Sequence, residues 1–228
     1  MASPQLDRRA RREQIEVQAS TMEAVRDVWP LLDLRRLGRT FGPWLSAVAP
    51  IVADQREESA RLAREYVLAA KDEAGVSGEL TLPPLADLAH DRLVGNLLVS
   101  VARAGRVARQ APGTVQAARA ADAALVRAQG SASRLALEAG RQVVVDTVDR
   151  WNEVLSPEAI RDLDRRERAR YHRRRGRQYR GPRHYRTTSG NACEFCRMLA
   201  GRGAVYREDS VTFRSHDHCA CGAGIEFA

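Results

Sequence analysis

Four cysteines and two histidines near the end of the chain are spaced as metal ligands. Cys193 and Cys196 form a Cys-x-x-Cys pair, and twenty-two residues separate Cys196 from Cys219, which lies in the run 216–221, His-Asp-His-Cys-Ala-Cys. A Cys-x-x-Cys pair can present two thiolates to one tetrahedral ion. Because soft thiolates select zinc over magnesium or calcium, the spacing predicts a zinc site.

The ligand set stays open, because six side chains compete for four positions. The four cysteines Cys193, Cys196, Cys219 and Cys221 are the first choice, and in the alternative His216 replaces one of them. A histidine that does not ligate could orient a ligand by a hydrogen bond. The competing interpretation is four reduced cysteines that only pack, or two that are redox-active.

A second chemical feature is a dense run of arginines before the cysteines. Residues 161–186 contain twelve arginines and three acidic residues, whereas the remaining chain has 25 basic and 26 acidic residues. Three tyrosines, at 171, 179 and 185, are interleaved, which suits contacts to phosphates and exposed bases. The predicted nucleic-acid contacts are Arg165, Arg166, Arg170, Arg173, Arg174, Arg175, Arg177 and Arg180. The alternatives are an acidic protein surface as the partner, or a solvated helix face.

The elements that must position these residues are mainly helical. Apolar residues recur at helical spacing in four segments, near 6–34, 44–70, 85–104 and 115–151. Gly38 and Gly42-Pro43 predict an interruption after the first segment, and Pro50 predicts a kink or a helix start. Thr114 is the expected N-cap of the long alanine-rich helix that ends near Trp151, in which Gly130 and Gly140 either weaken the helix or let another helix come close. Ser156-Pro157-Glu158 predicts the start of a further helix, which carries the first half of the arginine run.

A change of texture near residue 180 predicts two domains. Residues 1–180 form a helical domain that is rich in arginine at its end, and residues 181–228 form a small α+β module held by the metal. The short β-prone runs 184–188, 204–206, 211–213 and 225–227 belong to this module. A segment of this size rarely builds an adequate apolar core alone, so metal support is expected.

The C-terminal motifs resemble a known family. Cys193-x-x-Cys196, the run 198–206 (Met-Leu-Ala-Gly-Arg-Gly-Ala-Val-Tyr) and His216-x-x-Cys219-x-Cys221 occur in this order. This order is similar to the C-terminal domain of phage Mu F-like head morphogenesis proteins, especially the version in actinobacterial phages. The motifs cover about residues 140–228, and the tail after Cys221 departs from the family pattern.

The resemblance implies a head-assembly protein that is associated with the portal or the capsid interior. Members are often labelled minor capsid protein or capsid maturation protease, so a protease is the alternative function. No Gly-x-Ser-x-Gly or His-Glu-x-x-His sequence occurs in this chain. Ser189, His184 and Cys219 are the residues to test for catalysis. A zinc-containing nucleic-acid-binding protein is the second alternative.

The remaining expectations concern location and partners. No run of about 18 uncharged apolar residues is present, so we expect no membrane span. The first residues lack an apolar signal core, which favours a reducing cytoplasm. The resemblance implies the host cytoplasm during assembly and then the virion head. The expected partners are the portal or the major capsid protein, DNA, and further copies of the chain.

Overall fold

Four long helices and a two-stranded sheet dominate the described part of the chain. A computed structural model describes residues 2–76, 80, 82–152, 161, 165, 182–188, 194–201 and 221–227. The helices are α1 (Pro4–Asp27), α2 (Leu37–Glu73), α3 (His90–Gln110), α4 (Val115–Asn152) and the short α5 (Glu194–Ala200). The strands are β1 (Arg183–Thr187) and β2 (Gly222–Glu226). The prediction of a mainly helical protein is confirmed.

Helix α1 begins with a side-chain cap and ends before a proline. The Ser3 hydroxyl accepts a hydrogen bond from the Leu6 amide at 3.2 Å, and Pro4 occupies the first turn, where its missing N–H costs nothing. The helix stops at Asp27 and two short 3-10 turns follow, the first of which contains Pro30, a residue with no backbone N–H to continue the α-helical hydrogen bonds. The sequence had predicted helix as far as Leu34.

Helix α2 runs through Pro43 and Pro50, so the predicted interruption at Gly42-Pro43 is wrong. An interior proline removes one helical hydrogen bond and costs about 3 kcal/mol. The apolar side chains around the prolines offset this cost. Trp44, Val48 and Val52 are fully buried, and the Trp44 ring packs edge-on against Trp29 at 5.8 Å.

Helix α4 is the element against which all the other long helices pack. The Thr114 hydroxyl accepts from the Ala117 amide at 3.2 Å, which confirms the predicted N-cap. Alanines and serines fill much of its buried surface, so neighbouring helices can approach from several sides. It contributes to both large apolar clusters. The first includes Val25, Trp44, Leu97, Val101 and Leu135, and the second includes Tyr66, Val67, Val143, Val148 and Ile225.

A close helix contact lies at Gly140, where α2 meets α4. A Cβ atom on Gly140 would lie 2.6 Å from the Ser59 hydroxyl oxygen and 2.8 Å from the Ser59 carbonyl oxygen. The Ser59 hydroxyl donates to the Gln14 side-chain oxygen at 2.7 Å and accepts from the Gly140 amide at 3.2 Å. The Gln14 side-chain amide donates back to the Ser59 carbonyl at 3.0 Å. Gly140 therefore admits a close neighbour, and one polar contact links α1, α2 and α4.

The sheet packs on the helices near the end of α4. Strands β1 and β2 are antiparallel, with Arg183 opposite Glu226 and Thr187 opposite Gly222. Ile225 and Phe227 are buried in the second apolar cluster, and the Phe227 ring packs edge-on against Trp151 at 6.0 Å. An isolated two-stranded hairpin is marginally stable in water, so this packing supplies most of its support. The predicted domain boundary near residue 180 stays a prediction.

We expect Gly140→Ala to destabilise the helical body by about 1–3 kcal/mol, because the backbone of Ser59 cannot move aside without separating two helices. Gly95→Ala is the matched control. Gly95 lies on α3 with no atom near its Cβ position, so Gly95→Ala should raise the free energy of unfolding by about 0.5–1 kcal/mol. Urea unfolding followed by circular dichroism checks both values. Equal, small effects of the two substitutions would contradict the close contact.

Candidate functional site at the C-terminal hairpin

Cys221 is the candidate ligand whose side chain the structure describes. It lies directly before β2, and only 1% of its surface is exposed. The guanidinium of Arg141, on α4, donates to the Cys221 carbonyl oxygen at 3.1 Å and to the Arg134 carbonyl oxygen at 3.1 Å. Arg141 is itself buried, so α4 fixes the backbone at the start of β2.

A cavity of about 40 Å³ lies where the hairpin meets α1, α2 and α4. Its lining includes Arg11, Gln14, Arg141, Thr187 and Cys221. Water molecules fit a cavity of this size that has polar groups in its wall. The side chain of Cys221 therefore lies at a partly polar boundary between the hairpin and the helical body.

A cluster of two tyrosines and one carboxylate joins the hairpin to the helices. The hydroxyl of Tyr66 donates to one oxygen of Asp7 at 2.8 Å, and the hydroxyl of Tyr185 donates to the other at 2.6 Å. The backbone amide of Ile225 donates to the Tyr66 hydroxyl at 3.1 Å. Burial raises the pKa of Tyr66, and the nearby Tyr185 and Asp7 raise it further. Burial also raises the pKa of Tyr185, helped by its hydrogen bond to Asp7, so both hydroxyls remain donors at neutral pH.

Gly224 makes room for the Tyr185 ring. The two residues are directly opposite each other in the sheet, and a Cβ atom on Gly224 would lie 2.4 Å from the ring. Any side chain at this position would push the ring aside and move its hydroxyl away from Asp7. The contact between the hairpin and α1 therefore requires glycine at position 224.

The remaining predicted ligands are only partly covered. Cys196 lies in α5, which packs against β1, and β1 pairs in turn with the strand that follows Cys221. Cys193, Cys219 and His216 lie outside the described residues. Within the described ranges, no group of three or more His, Cys, Asp or Glu side chains could hold a metal ion. The zinc ligand set therefore stays a prediction.

The comparisons with known proteins place the chain in a family. A family model with the description VG15 protein matches residues 1–227. The chain belongs to the VG15 protein family. This is a phage-associated family of viral gene proteins. No curated protein and no solved structure matches the chain.

In this VG15 protein, the predicted arginine contacts fall mostly outside the described residues. Arg165, the one predicted contact that the structure describes, is helical and exposed, as is Arg161 at the start of the run. The other predicted contacts, namely Arg166, Arg170, Arg173, Arg174, Arg175, Arg177 and Arg180, are not among the described residues. None of the described helices is long and apolar enough to cross a membrane.

Two features of this VG15 protein were missed by the sequence reasoning. The contact of Asp7 with Tyr66 and Tyr185 joins residues that are far apart in the sequence, and no local sequence pattern predicts it. The second feature is a set of arginines on α3 and α4, of which those on α3 are exposed and the two on α4 are half-buried. The total charge of the residues outside 161–186 does not reveal this set, because acidic residues in other helices cancel the positive charge. A charge count over each helix pair would have found it.

Proposed function

We propose that this VG15 protein acts in phage head morphogenesis, as a minor capsid protein associated with the portal or the capsid interior. The family match over residues 1–227 supports a phage protein, and the C-terminal motifs carry the head-assembly part of the proposal. The ordered cysteine and histidine motifs between Cys193 and Cys221 support the head-assembly role through their resemblance to Mu F-like proteins. The proposed partners are the portal or major capsid protein, DNA and further copies of the chain.

The proposed zinc site would connect the hairpin with α5. Cys193, Cys196, Cys219 and Cys221 would hold the ion, with His216 as the alternative to one cysteine. Two observations favour this set: Cys221 directly precedes β2, and α5, which contains Cys196, packs against β1. A fully protein-coordinated zinc ion is structural and supplies folding free energy to a small module.

We expect about one zinc ion per chain in protein purified without chelators, and a strongly reduced content in Cys221→Ser. The helical signal should persist, because the two large clusters consist mainly of residues from α1 to α4. Tyr185→Phe is the control, since it weakens the contact of the hairpin with Asp7 but keeps every candidate ligand. Elemental analysis that finds no metal in the wild-type protein would overturn the zinc proposal.

The proposal treats the protein as a structural part and not as the capsid protease. His184, one of the residues considered for catalysis, is 98% buried from solvent, since only 2% of its surface is exposed. Burial also lowers its pKa, so the imidazole is neutral at pH 7. The buried imidazole of His184 has almost no direct contact with solvent in this structure, which supports a structural role for this residue.

Deleting the gene from its phage, with and without the protein supplied in trans, tests the proposed function. We expect purified wild-type heads to contain the chain in few copies, and heads made without it to be defective although their major capsid protein has its normal mass. Mass spectrometry of the heads measures the copy number of the chain and the mass of the major capsid protein. If heads made without the chain contained uncleaved capsid precursor, and cleavage returned only when the active chain was supplied, the protease alternative would be correct. Normal heads that lack the chain would favour a nucleic-acid-binding regulator.

A further inference from the structure

The helix pair α3–α4 carries an unbalanced positive charge that differs from the arginine run at 161–186. Residues 90–152, which include α3 and α4, contain nine arginines and five acidic residues. The excess lies in residues 90–134, with seven arginines and two acidic residues, Asp91 and Asp122. Residues 4–73, which include α1 and α2, contain twelve basic and twelve acidic residues. The excess therefore belongs to one helix pair of the described structure and not to the helical body as a whole.

Helix α3 presents its arginines on its solvent face. Arg103, Arg106 and Arg109 are all exposed, and side chains three residues apart are neighbours on a helix surface. Leu97, Val101 and Ala108 on the opposite face are buried in the first apolar cluster. The three guanidinium groups therefore cannot turn inward, and they follow about 9 Å of the helix axis.

Helix α4 adds two arginines along the same edge. The Arg127 guanidinium donates to the carbonyl oxygen of Ser100 at 3.2 Å, which places it one turn from Arg103. The Arg134 guanidinium donates to the side-chain oxygen of Asn96, one further turn along α3. We call the set Arg103, Arg106, Arg109, Arg127 and Arg134 the α3–α4 basic surface.

One exposed arginine of α3, Arg92, pairs with Glu138 on α4 at 2.6 Å, whereas Arg103, Arg106 and Arg109 have no such partner among the described residues. In the described ranges, no carboxylate lies within 4.0 Å of Arg103, Arg106 or Arg109. On α1 and α2, by comparison, Arg9 pairs with Glu13, and Arg61 pairs with two glutamates. The negative end of the α3 dipole accounts for Arg109, which is in the last turn, but not for Arg103 and Arg106.

We infer that the α3–α4 basic surface binds the phosphate backbone of double-stranded DNA. A surface with one sign of charge matches a polymer that carries one phosphate charge about every 1.7 Å of duplex axis. Arginine side chains also match phosphate oxygens with a planar fork of donors. The inference does not depend on the proposed head-assembly role.

A pair of matched charge reversals tests this surface in the full-length protein. The test variant is Arg103→Glu with Arg106→Glu, and the control is Arg8→Glu with Arg12→Glu on α1. All four arginines are exposed and helical, and both variants change the net charge by the same amount. Circular dichroism and thermal unfolding check that both remain folded, and Arg103→Gln with Arg106→Gln replaces the test variant if reversal unfolds it.

The measurement is fluorescence anisotropy with a labelled DNA duplex of about 30 base pairs and mixed sequence, from about 50 to 200 mM salt. We expect the test variant to weaken binding about tenfold or more at low salt, and to reduce the slope of log affinity against log salt by about 2, since two phosphate contacts are lost. The control should change affinity less than about threefold, through net charge alone.

The same pair of variants is also measured after Arg173, Arg174 and Arg175 are changed to glutamate, so that the arginine run cannot mask the surface. The inference holds if the difference between test and control persists in this background. Equal weakening by test and control, or no weakening by either, would overturn it. It would also be overturned if polyglutamate bound as tightly as DNA with the same dependence on Arg103 and Arg106, because the partner would then be an acidic protein.

Discussion

The contact of Gln14, Ser59 and Gly140 sets the register of three helices, and the C-terminal hairpin depends on that register. Two of its hydrogen bonds use the Ser59 hydroxyl, which donates to Gln14 and accepts from Gly140. Ser59 of α2 occupies the space that a side chain at position 140 of α4 would fill. Helix α2 therefore cannot slide along α4 without a collision. The contact therefore combines hydrogen bonds with a steric limit, and closely packed interiors tolerate little relaxation of such a limit.

The residues that hold the hairpin lie at fixed distances from this contact. Tyr66 is seven residues beyond Ser59 on α2, and Asp7 is seven residues before Gln14 on α1, so each is about 10 Å, or two helical turns, away. Arg141 directly follows Gly140 on α4. The same register thus brings together three groups that hold the hairpin. The Asp7 carboxylate contacts β1, the Tyr66 phenol contacts β2, and the Arg141 guanidinium contacts Cys221 just before β2. A C-terminal module assembled on this platform has a defined orientation relative to the helical body.

The sequence predicted elements better than it predicted contacts. Helical spacing located α1 to α4, and the cap at Thr114 was correct because capping is a local interaction. The interruption at Pro43 was wrong because burial of Trp44 and its neighbours outweighs a local preference. The link between Asp7 and Tyr185 spans 178 residues, and only the folded chain brings these side chains together. Cysteine spacing predicted a ligand set, but burial of Cys221 against Arg141 required the packing of β2 on α4.

Hydrogen exchange at the Ile225 amide tests most directly whether the hairpin is part of the helical body. This amide donates to the Tyr66 hydroxyl, and its side chain is fully buried among residues of α2 and α4. If the hairpin and the helices form one cooperative unit, the amide should exchange as slowly as those of Val143 and Val144. In Tyr66→Phe it should exchange faster while the α4 amides stay protected. Exchange of Ile225 at the rate of an open chain in the wild-type protein would contradict the account.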